Sequence, residues 1–377
     1  MKQITIFCDV IDNFGDIGVV YRLARNLDAN YYNVVVVCND LLKLATINHG
    51  ASSKRGFQIV ENITYIAASW VGKYQNILSR THFVIESFGC KIAQETLECF
   101  KDDVVIINLE YLNTEKWASD LHLNKSYSPV GEKYYFMPSF YKESGGVLFD
   151  SKEIRKGSCW KLENIMKKYG IGIKAVQIKA RSEGEKPLKK CVIFSYGLEF
   201  EHFYKVLKND MNNDYILILC GEKTQKSFKE LGVKSGNDQN VFTVFMPVMS
   251  QLEFDSFVSQ VDLNFVRGED SFVRAVVAGK PFLWQAYKQE EEYHLEKVRA
   301  FLEILSPFMP QEFYERYSAI LLGYNASIGE SISFDEYSWF VENLENLEKY
   351  FKKFSEHIVK NCNLVYNLMS FISSKQI

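Results

Sequence analysis

The sequence lacks the features that mark secreted, membrane-spanning and metal-binding proteins. Its eight cysteines are scattered over 377 residues with no C-x-x-C pair, and most lie inside apolar runs, which indicates small buried side chains in a reducing compartment. The six histidines form neither an i, i+4 pair nor an H-E-x-x-H motif, so we expect none to be a ligand and no metal to be bound. The first residues are apolar for too few positions to make a signal peptide, and no apolar run approaches the length of a membrane span. We therefore expect a cytoplasmic protein without a membrane partner.

Two common catalytic motifs are also missing. Neither G-x-x-x-x-G-K-[ST] nor G-x-S-x-G occurs, which argues against a P-loop nucleotidase and a serine hydrolase. There is no excess of positive charge, because the formal net charge is -3 and the pI is near 6.2. A nucleic-acid partner held by a basic surface is therefore not expected. Internal repeats and low-complexity segments are absent as well.

The composition is that of a globular protein with large cores. Hydrophobic residues make up 47% and charged residues 24% of the chain, and the aromatic share of 15% includes 28 Phe and 22 Tyr. A chain of 377 residues exceeds what one core usually supports. We therefore predict two domains.

The first part of the chain alternates between short apolar strands and helices. The run N-V-V-V-V-C at 33–38 has β-branched residues without polar alternation, which is typical of a parallel strand buried on both faces. Residues 110–150 lose this periodicity and are predicted to be loop-rich and to end the first domain. Alternation of this kind predicts a Rossmann-like α/β sheet covered on both faces, with strands at 4–8, 33–38, 58–60, 83–85 and 104–108 and helices at 19–27 and 92–100.

The alternation restarts near residue 190. A helix at 160–169 and a basic connector at 170–189 precede the restart, and the second α/β array predicts a second Rossmann-like domain that faces the first across a cleft. Its predicted strands are 190–194, 215–220, 241–245 and 263–266, and its predicted helices are 199–208, 224–230 and 251–258. The rest of the chain is predicted to be helical and either covers the second sheet or returns to the first, with helices at 292–305, 311–322, 334–350 and 354–372.

The segment 263–284 contains the strongest candidate for an anion-binding element. It reads L-N-F-V-R-G-E-D-S-F-V-R-A-V-V-A-G-K-P-F-L-W, which predicts a strand, a turn at Arg267-Gly268, a helix that stops at Gly279 and another strand. A helix that starts just after a strand directs its free N–H groups at an anion such as a pyrophosphate, and Arg267 adds a fixed positive charge. Glu269 and Asp270 could cap this helix, or Glu269 could contact ribose hydroxyls or the reacting groups while the N–H groups of Asp270 and Ser271 bind phosphate.

The loop after the first strand contains the candidate base. In D-V-I-D-N-F-G-D-I-G, Asp12 and Asp16 flank Asn13, Phe14 and Gly15 at the carboxyl end of the strand, where open α/β sheets bind ligands. These residues could simply form a turn, because Asp, Asn and Gly favour turns. Phe14, which we expect to be exposed, is unusual in a plain turn, and an aspartate here could act as a general base.

Three further positions are candidates, and two of them, Tyr196 and Gln251, have two interpretations each. Phe194 and Tyr196 end the first strand of the second array, where Tyr196 could contact a phosphate or base, or could cover the core with its ring. Gln251 could read a base or could be a polar residue at a helix start.

Two segments together resemble one family. V-I-D-N-F-G-D-I-G at 10–18 and R-G-E-D-S-F-V-R-A with A-G-K-P-F-L-W at 267–284 resemble the EarP family, the protein-arginine rhamnosyltransferases that modify bacterial elongation factor P. Further matches over nearly the whole chain are V-I-E-S-F-G-C at 84–90, N-L-E-Y-L at 108–112, F-M-P-S-F at 136–140 and K-E-S-G-G at 142–146.

The resemblance implies an α/β fold of GT-B type, with two Rossmann-like domains facing a central cleft and a C-terminal helix that returns to the first domain. It places the acceptor-side domain at 1–150 with a helix at about 354–377, and the nucleotide-sugar domain at 151–353. It implies inverting transfer of rhamnose from dTDP-β-L-rhamnose to one arginine of elongation factor P, giving an α-linked N-glycoside that activates the factor to relieve ribosome stalling. No cofactor and no metal are implied.

The resemblance also assigns roles to residues. Asp16 matches the family's general base, Asp12 a second required aspartate and Glu269 an essential glutamate. Donor-binding positions are matched by Asn13, Phe14, Gly15, Phe194, Tyr196, Gln251, Arg267, Gly268, Asp270 and Ser271. Two rival functions are a GT-B glycosyltransferase with another nucleotide sugar or acceptor, and an inactive binding module for elongation factor P.

Overall fold

The computed structural model divides the chain into two compact units. Unit 1 comprises Met1–Ser151 with Ile358–Ile377, and unit 2 comprises Lys152–His357. The structure describes residues 2–11, 14–28, 32–150, 161–171, 186–326 and 332–375. Asp12, Asn13 and most of the predicted connector at 170–189 lie outside the described residues.

Unit 1 is built on an eight-stranded sheet in the order β3-β4-β2-β1-β5-β6-β8-β7. All neighbouring strands are parallel except the two edge pairs, β3 with β4 and β7 with β8. The strands are β1 Gln3–Cys8, β2 Asn33–Cys38, β3 Phe57–Val60, β4 Ile63–Ala67, β5 Thr81–Ser87, β6 Val105–Leu109, β7 Lys125–Ser126 and β8 Glu132–Phe136. The α-helices between them are α1 Gly15–Asp28, α2 Leu41–Ile47, α3 Gln75–Leu78, α4 Gln94–Leu97 and α5 Trp117–Leu121.

Unit 2 repeats this architecture on a six-stranded sheet in the order β11-β12-β10-β9-β13-β14, parallel except for the edge strand β11. The strands are β9 Leu188–Phe194, β10 Asp214–Cys220, β11 Gly236–Asp238, β12 Val241–Met246, β13 Leu263–Arg267 and β14 Phe282–Gln285. The α-helices of this unit are α6 Leu162–Lys168, α7 Glu201–Asn209, α8 Glu222–Glu230, α9 Gln251–Gln260, α10 Asp270–Ala278, α11 Tyr293–Leu305, α12 Gln311–Asn325 and α13 Phe334–Glu342.

The last two helices are α14 Leu344–Asn361 and α15 Leu364–Ser374. Leu368, Phe371 and Ile372 of α15 are buried in the same apolar core as Ile4 and Ile6 of β1. The predicted return of the C-terminal helix to the first domain is confirmed, and so is the α/β class with two Rossmann-like units.

Some predicted elements are wrong. The loop-rich prediction for 110–150 missed β8, which adds to the sheet by pairing with β6. The predicted helices 334–350 and 354–372 are instead three helices that meet at Asn343 and at Cys362-Asn363. The second break is fixed by distant backbone, because the Val147 N–H donates to the Cys362 oxygen at 2.8 Å and the Leu364 N–H donates to the Val147 oxygen at 3.0 Å.

Within the described residues, no helix is both long enough and apolar enough to span a bilayer.

Candidate active site

One group of candidate residues lies in unit 1, where β1 ends and α1 begins. Asp16 occupies the first turn of α1 and is buried. Its Oδ2 accepts a hydrogen bond from the Ile11 N–H at 2.8 Å, and its Oδ1 accepts one from the Tyr111 hydroxyl at 3.0 Å. The carboxylate is therefore held from both sides, by the loop that precedes its helix and by a residue that follows β6.

The residues around Asp16 only partly match the predictions. Asp12 and Asn13 lie outside the described residues, so their predicted roles stay predictions. Gly15 begins α1. Phe14 is partly buried and packs against the unit 1 core, so the expectation of an exposed ring is wrong. An aromatic ring in this turn has apolar neighbours available, because the core extends up to the end of β1.

A separate group of candidate residues lies in unit 2, at the turn between β13 and α10. Gly268 has φ of 61°, in the left-handed region that glycine adopts readily. Its peptide groups are fixed by β14, since the Gly268 N–H donates to the Gln285 oxygen at 3.1 Å and the Gly268 oxygen accepts from Trp284 Nε1 at 2.8 Å. The Trp284 ring is itself stacked on Phe272 of α10 at a centroid distance of 3.9 Å. The turn is thus clamped between the next strand and the helix that it starts.

The helix that follows the turn starts and ends where the sequence predicts. Asp270 and Ser271 are its first residues, and Gly279 with φ of 65° ends it. The Ser271 hydroxyl donates to the Arg267 oxygen and accepts from the Arg267 N–H at 3.1 Å, so this side chain closes the turn. Within the described residues, the side chain of Glu269 makes no capping hydrogen bond to the helix. This result disfavours the capping interpretation for Glu269 and leaves its predicted role as a prediction.

Arg267 is sandwiched between two aromatic rings. Its guanidinium carbon lies 4.3 Å from the ring centroid of Phe194 and 4.3 Å from that of Tyr196. Cation–π contacts of this kind hold the planar guanidinium in one orientation. Within the described part of the chain, the buried Arg267 Nε–H has no hydrogen-bond partner. The loop of Tyr196 is tied to the same place, because the Tyr196 N–H donates to Gln285 Oε1 at 2.7 Å.

Gln251 joins the starts of two helices. It is the first residue of α9, and its Nε2 donates to Asp270 Oδ2 at 3.4 Å. The helix itself is capped by Ser250 and Glu253 in a reciprocal capping box. Burial acts to raise the pKa of Glu253, but hydrogen bonds from Lys168, Ser250 and Tyr169 outweigh it and lower that pKa to about 2. Glu253 is therefore an anchored anion that fixes α9, while Gln251 faces α10.

Within the described residues, no group of three or more His, Cys, Asp or Glu side chains could hold a metal ion. Cys8, Cys38, Cys191, Cys220 and Cys362 are buried, as predicted for small apolar side chains. Burial raises the pKa of the Cys220 thiol to about 12, which keeps it protonated and unreactive.

Sequence reasoning assigned no role to Tyr111, Trp284 or Gln285. Tyr111 lies in N-L-E-Y-L, and Trp284 and Gln285 directly follow A-G-K-P-F-L. Both segments contributed to the resemblance to the EarP family. These segments were recognisable in the sequence, but the contacts that their residues make were not. Tyr111, for example, lies 95 positions from its partner Asp16.

The two groups of candidate residues, one in each unit, suit different chemistry. In unit 1, an oriented carboxylate can accept hydrogen bonds from a cation and take up a proton. In unit 2, the N-terminus of α10, Arg267 and aromatic rings at the carboxyl ends of β9 and β13 suit an anionic nucleotide.

Comparison with known proteins identifies the family to which the chain belongs. The family profile described as "Elongation-Factor P (EF-P) rhamnosyltransferase EarP" matches residues 4–373. A protein-arginine rhamnosyltransferase of Pseudomonas aeruginosa is 30% identical over 341 residues, covering 87% of this chain and 88% of that protein. One of Neisseria meningitidis serogroup B is 29% identical over 331 residues, covering 81% of this chain and 80% of that protein.

Solved structures show the same fold. The structure reported as the structural basis for EarP-mediated arginine glycosylation of translation elongation factor EF-P aligns over 99% of both chains with a TM-score of 0.62 and 19% identity. Anabaena HepE in complex with UDP and glucose aligns over 99% of both chains with a TM-score of 0.50 and 9% identity. The fold is therefore of GT-B type. Since the family profile covers residues 4–373, the chain belongs to the EarP family of elongation factor P rhamnosyltransferases.

Proposed function

We propose that this protein transfers L-rhamnose from dTDP-β-L-rhamnose to one arginine side chain of bacterial elongation factor P, with inversion to an α-linked N-glycoside. Family membership supports the sugar and the acceptor protein, and the relatives named protein-arginine rhamnosyltransferases support the arginine. The observation that carries the proposal is the buried Asp16 carboxylate with a hydrogen bond to each oxygen. We expect the reaction to occur in the cytoplasm, where translation factors work.

The acceptor chemistry calls for an oriented carboxylate. A guanidinium is protonated at any relevant pH and its lone pairs are delocalised, so it is a poor nucleophile. A carboxylate that hydrogen-bonds one terminal nitrogen aligns that nitrogen and takes its proton as the bond to the sugar forms. We assign this role to Asp16, and we assign the second contact to the guanidinium to Asp12.

The reaction is a single displacement. The arginine nitrogen attacks C1 of rhamnose, the bond between C1 and the diphosphate oxygen breaks, and dTDP leaves with the electron pair. Attack from the face opposite the leaving group inverts the β-linked donor to an α-linked product. In this proposal, the unit 1 residues and the C-terminal helix serve the acceptor side, and the unit 2 residues bind the donor.

Donor binding is assigned to the turn before α10. Charge develops on the diphosphate as it leaves, and the helix N–H groups of Asp270 and Ser271 with Arg267 offset that charge. The buried Arg267 Nε–H, which lacks a partner in the described part of the chain, supports this assignment. Phe194, Tyr196 and Gln251 lie around the same turn, and Asn13, Phe14 and Gly15 are assigned to the donor from the unit 1 loop. Glu269 is assigned to the sugar or reacting groups, and no metal is required in this proposal.

Intact-mass spectrometry of the acceptor tests the proposal. Elongation factor P from the same source is incubated with the protein and dTDP-β-L-rhamnose, with and without a chelator, and we expect a gain of one deoxyhexose in both cases. A parallel panel of dTDP-glucose, UDP-glucose and GDP-mannose separates the proposed donor from others, because a rival GT-B enzyme would use one of these instead. No gain with any donor, or a strict requirement for a divalent metal, would contradict the proposed reaction.

A further inference from the structure

The Asp16 carboxylate accepts a hydrogen bond from a side chain outside its own helix. Its two oxygens have different partners, since Oδ2 accepts from the backbone of Ile11 and Oδ1 accepts from the Tyr111 hydroxyl at 3.0 Å. The Ile11 contact comes from the loop that directly precedes α1. The Tyr111 contact comes from beyond β6 and ties Asp16 to the sheet. Tyr111 therefore helps to fix the plane of the carboxylate relative to the rest of unit 1.

The Tyr111 ring stacks on Phe88, a residue with a strained backbone conformation. It is 37% exposed, so burial alone does not place it, but it stacks on Phe88 with a centroid distance of 4.5 Å and an interplanar angle of 16°. Phe88 has φ of 59°, which is a strained conformation for a bulky residue. This conformation is held by a hydrogen bond from the Phe88 N–H to the Leu109 oxygen at 2.8 Å and by burial of the Phe88 ring. The Phe88 ring, placed by this strained backbone, is thus the flat surface on which the Tyr111 ring stacks.

We propose that Tyr111 is a positioning residue for the Asp16 carboxylate, with Phe88 as the support that fixes the tyrosine ring. This inference rests on the proposed function, because the orientation matters only if Asp16 receives a proton from the acceptor nitrogen. A base must point one lone pair at the proton it removes, and small misplacements of a reacting group lower rates strongly. The hydroxyl of Tyr111 donates to Oδ1 and so sets the direction in which the carboxylate presents its oxygens.

The test is Tyr111→Phe, which deletes the hydroxyl and keeps the ring on Phe88. With saturating donor and acceptor, we expect kcat to fall roughly ten- to a hundred-fold while KM for both substrates stays within about two-fold. Phe88→Leu removes the stacked surface instead and should lower kcat by a smaller factor, again at constant KM. The matched control is Tyr127→Phe, which deletes a hydroxyl from a side chain that is 86% exposed in the same unit and should leave kcat unchanged.

A double-mutant cycle separates positioning from a general structural effect. In an Asp16→Asn background, Tyr111→Phe should cause no further loss of rate, because the two residues act through one contact. Equal losses in both backgrounds, or a wild-type kcat for Tyr111→Phe, would overturn the inference. Failure of the proposed function is distinguishable, since it would show as absence of rhamnose transfer by the wild-type protein.

Discussion

Two aspartates at the starts of successive helices in unit 1 have different partners. Asp40 precedes α2, and its Oδ1 accepts from the Leu42 and Lys43 N–H groups at 3.1 and 3.2 Å, which makes it a helix cap. Asp16 in the first turn of α1 instead accepts from Ile11, which precedes the helix, and from Tyr111, which lies beyond β6. The residue type is the same and both lie near a helix start, but of the two it is Asp16 that accepts hydrogen bonds from groups outside its own helix, as the proposed role of a base requires.

This difference predicts opposite outcomes for the same substitution. Asp16→Asn removes the proton acceptor, so turnover should fall by about 10²- to 10⁴-fold while the affinity for dTDP-β-L-rhamnose, measured by calorimetry, changes little. Asp40→Asn keeps a good helix cap and should leave both quantities close to wild type. Loss of donor affinity in Asp16→Asn without loss of turnover of bound donor would disprove the assignment of Asp16 as the base.

At the scale of single residues, the sequence predicted which residues are candidates for the site but not the contacts between them. Asp16, Arg267 and Gly268 were predicted from local signals, namely a glycine-bearing loop after a strand and a turn before a helix. The role of Tyr111 depends on a contact between two β–α connections that are 95 positions apart, which composition and periodicity do not encode. The partial burial of Phe14 was missed for the same reason.

The turn between β13 and α10 shows how one strand fixes an element beside it. Both peptide groups of Gly268 are hydrogen-bonded by the end of β14, through the Gln285 oxygen and Trp284 Nε1. A Cβ on Gly268 would lie 3.0 Å from the Tyr196 hydroxyl oxygen, in addition to the cost of its left-handed φ. The Tyr196 hydroxyl therefore lies so close to the Gly268 backbone that a side chain there would displace it. The proposed diphosphate would bind beside this same turn.

Gly268→Ala is predicted to weaken donor binding by more than its effect on stability explains. The matched control is Gly232→Ala, because Gly232 has a comparable φ of 76° but no atom within 4 Å of the added Cβ among the described residues. Both variants should lose about 1 kcal/mol of unfolding free energy from the left-handed backbone. Only Gly268→Ala should bind dTDP-β-L-rhamnose at least about ten-fold more weakly, since Tyr196 must shift. Equal donor affinities for the two variants would show that the turn does not contact the donor.

Elements were predictable where their signals are local. The segment 263–284 was predicted as a strand, turn, helix and strand because Gly268, Gly279 and Pro281 mark its boundaries, and β13, α10 and β14 follow that order. The strand β8 was missed because its residues become a strand by pairing with β6, and its own sequence lacks a continuous apolar run. The break at Cys362-Asn363 was missed because Val147 imposes it from a distant part of the chain.

The two ends of the chain meet in unit 1. Strand β1 forms the middle of the sheet, and α15 packs against α1, the helix that carries Asp16. The apolar residues of α15 belong to the same core as β1 and α1, so unit 1 is complete only when the C-terminal helix is in place. The stability of the proposed acceptor side therefore depends on residues at the opposite end of the sequence.

Leu368→Ala tests this dependence, with Tyr366→Ala as the matched control on the same helix. Leu368 is 1% exposed and Tyr366 is 70% exposed, so only the first substitution creates a cavity in the core. Leu368→Ala should lower the unfolding free energy of unit 1 by about 2–5 kcal/mol, and Tyr366→Ala should change it little. Hydrogen exchange followed by mass spectrometry resolves the units: peptides from β1 and α1 should lose protection in Leu368→Ala, whereas peptides from β9 and β13 should keep theirs. Equal loss of protection in both units would mean that α15 supports the whole molecule rather than unit 1, and unchanged protection in β1 would mean that the C-terminal helix is dispensable for the core around Asp16.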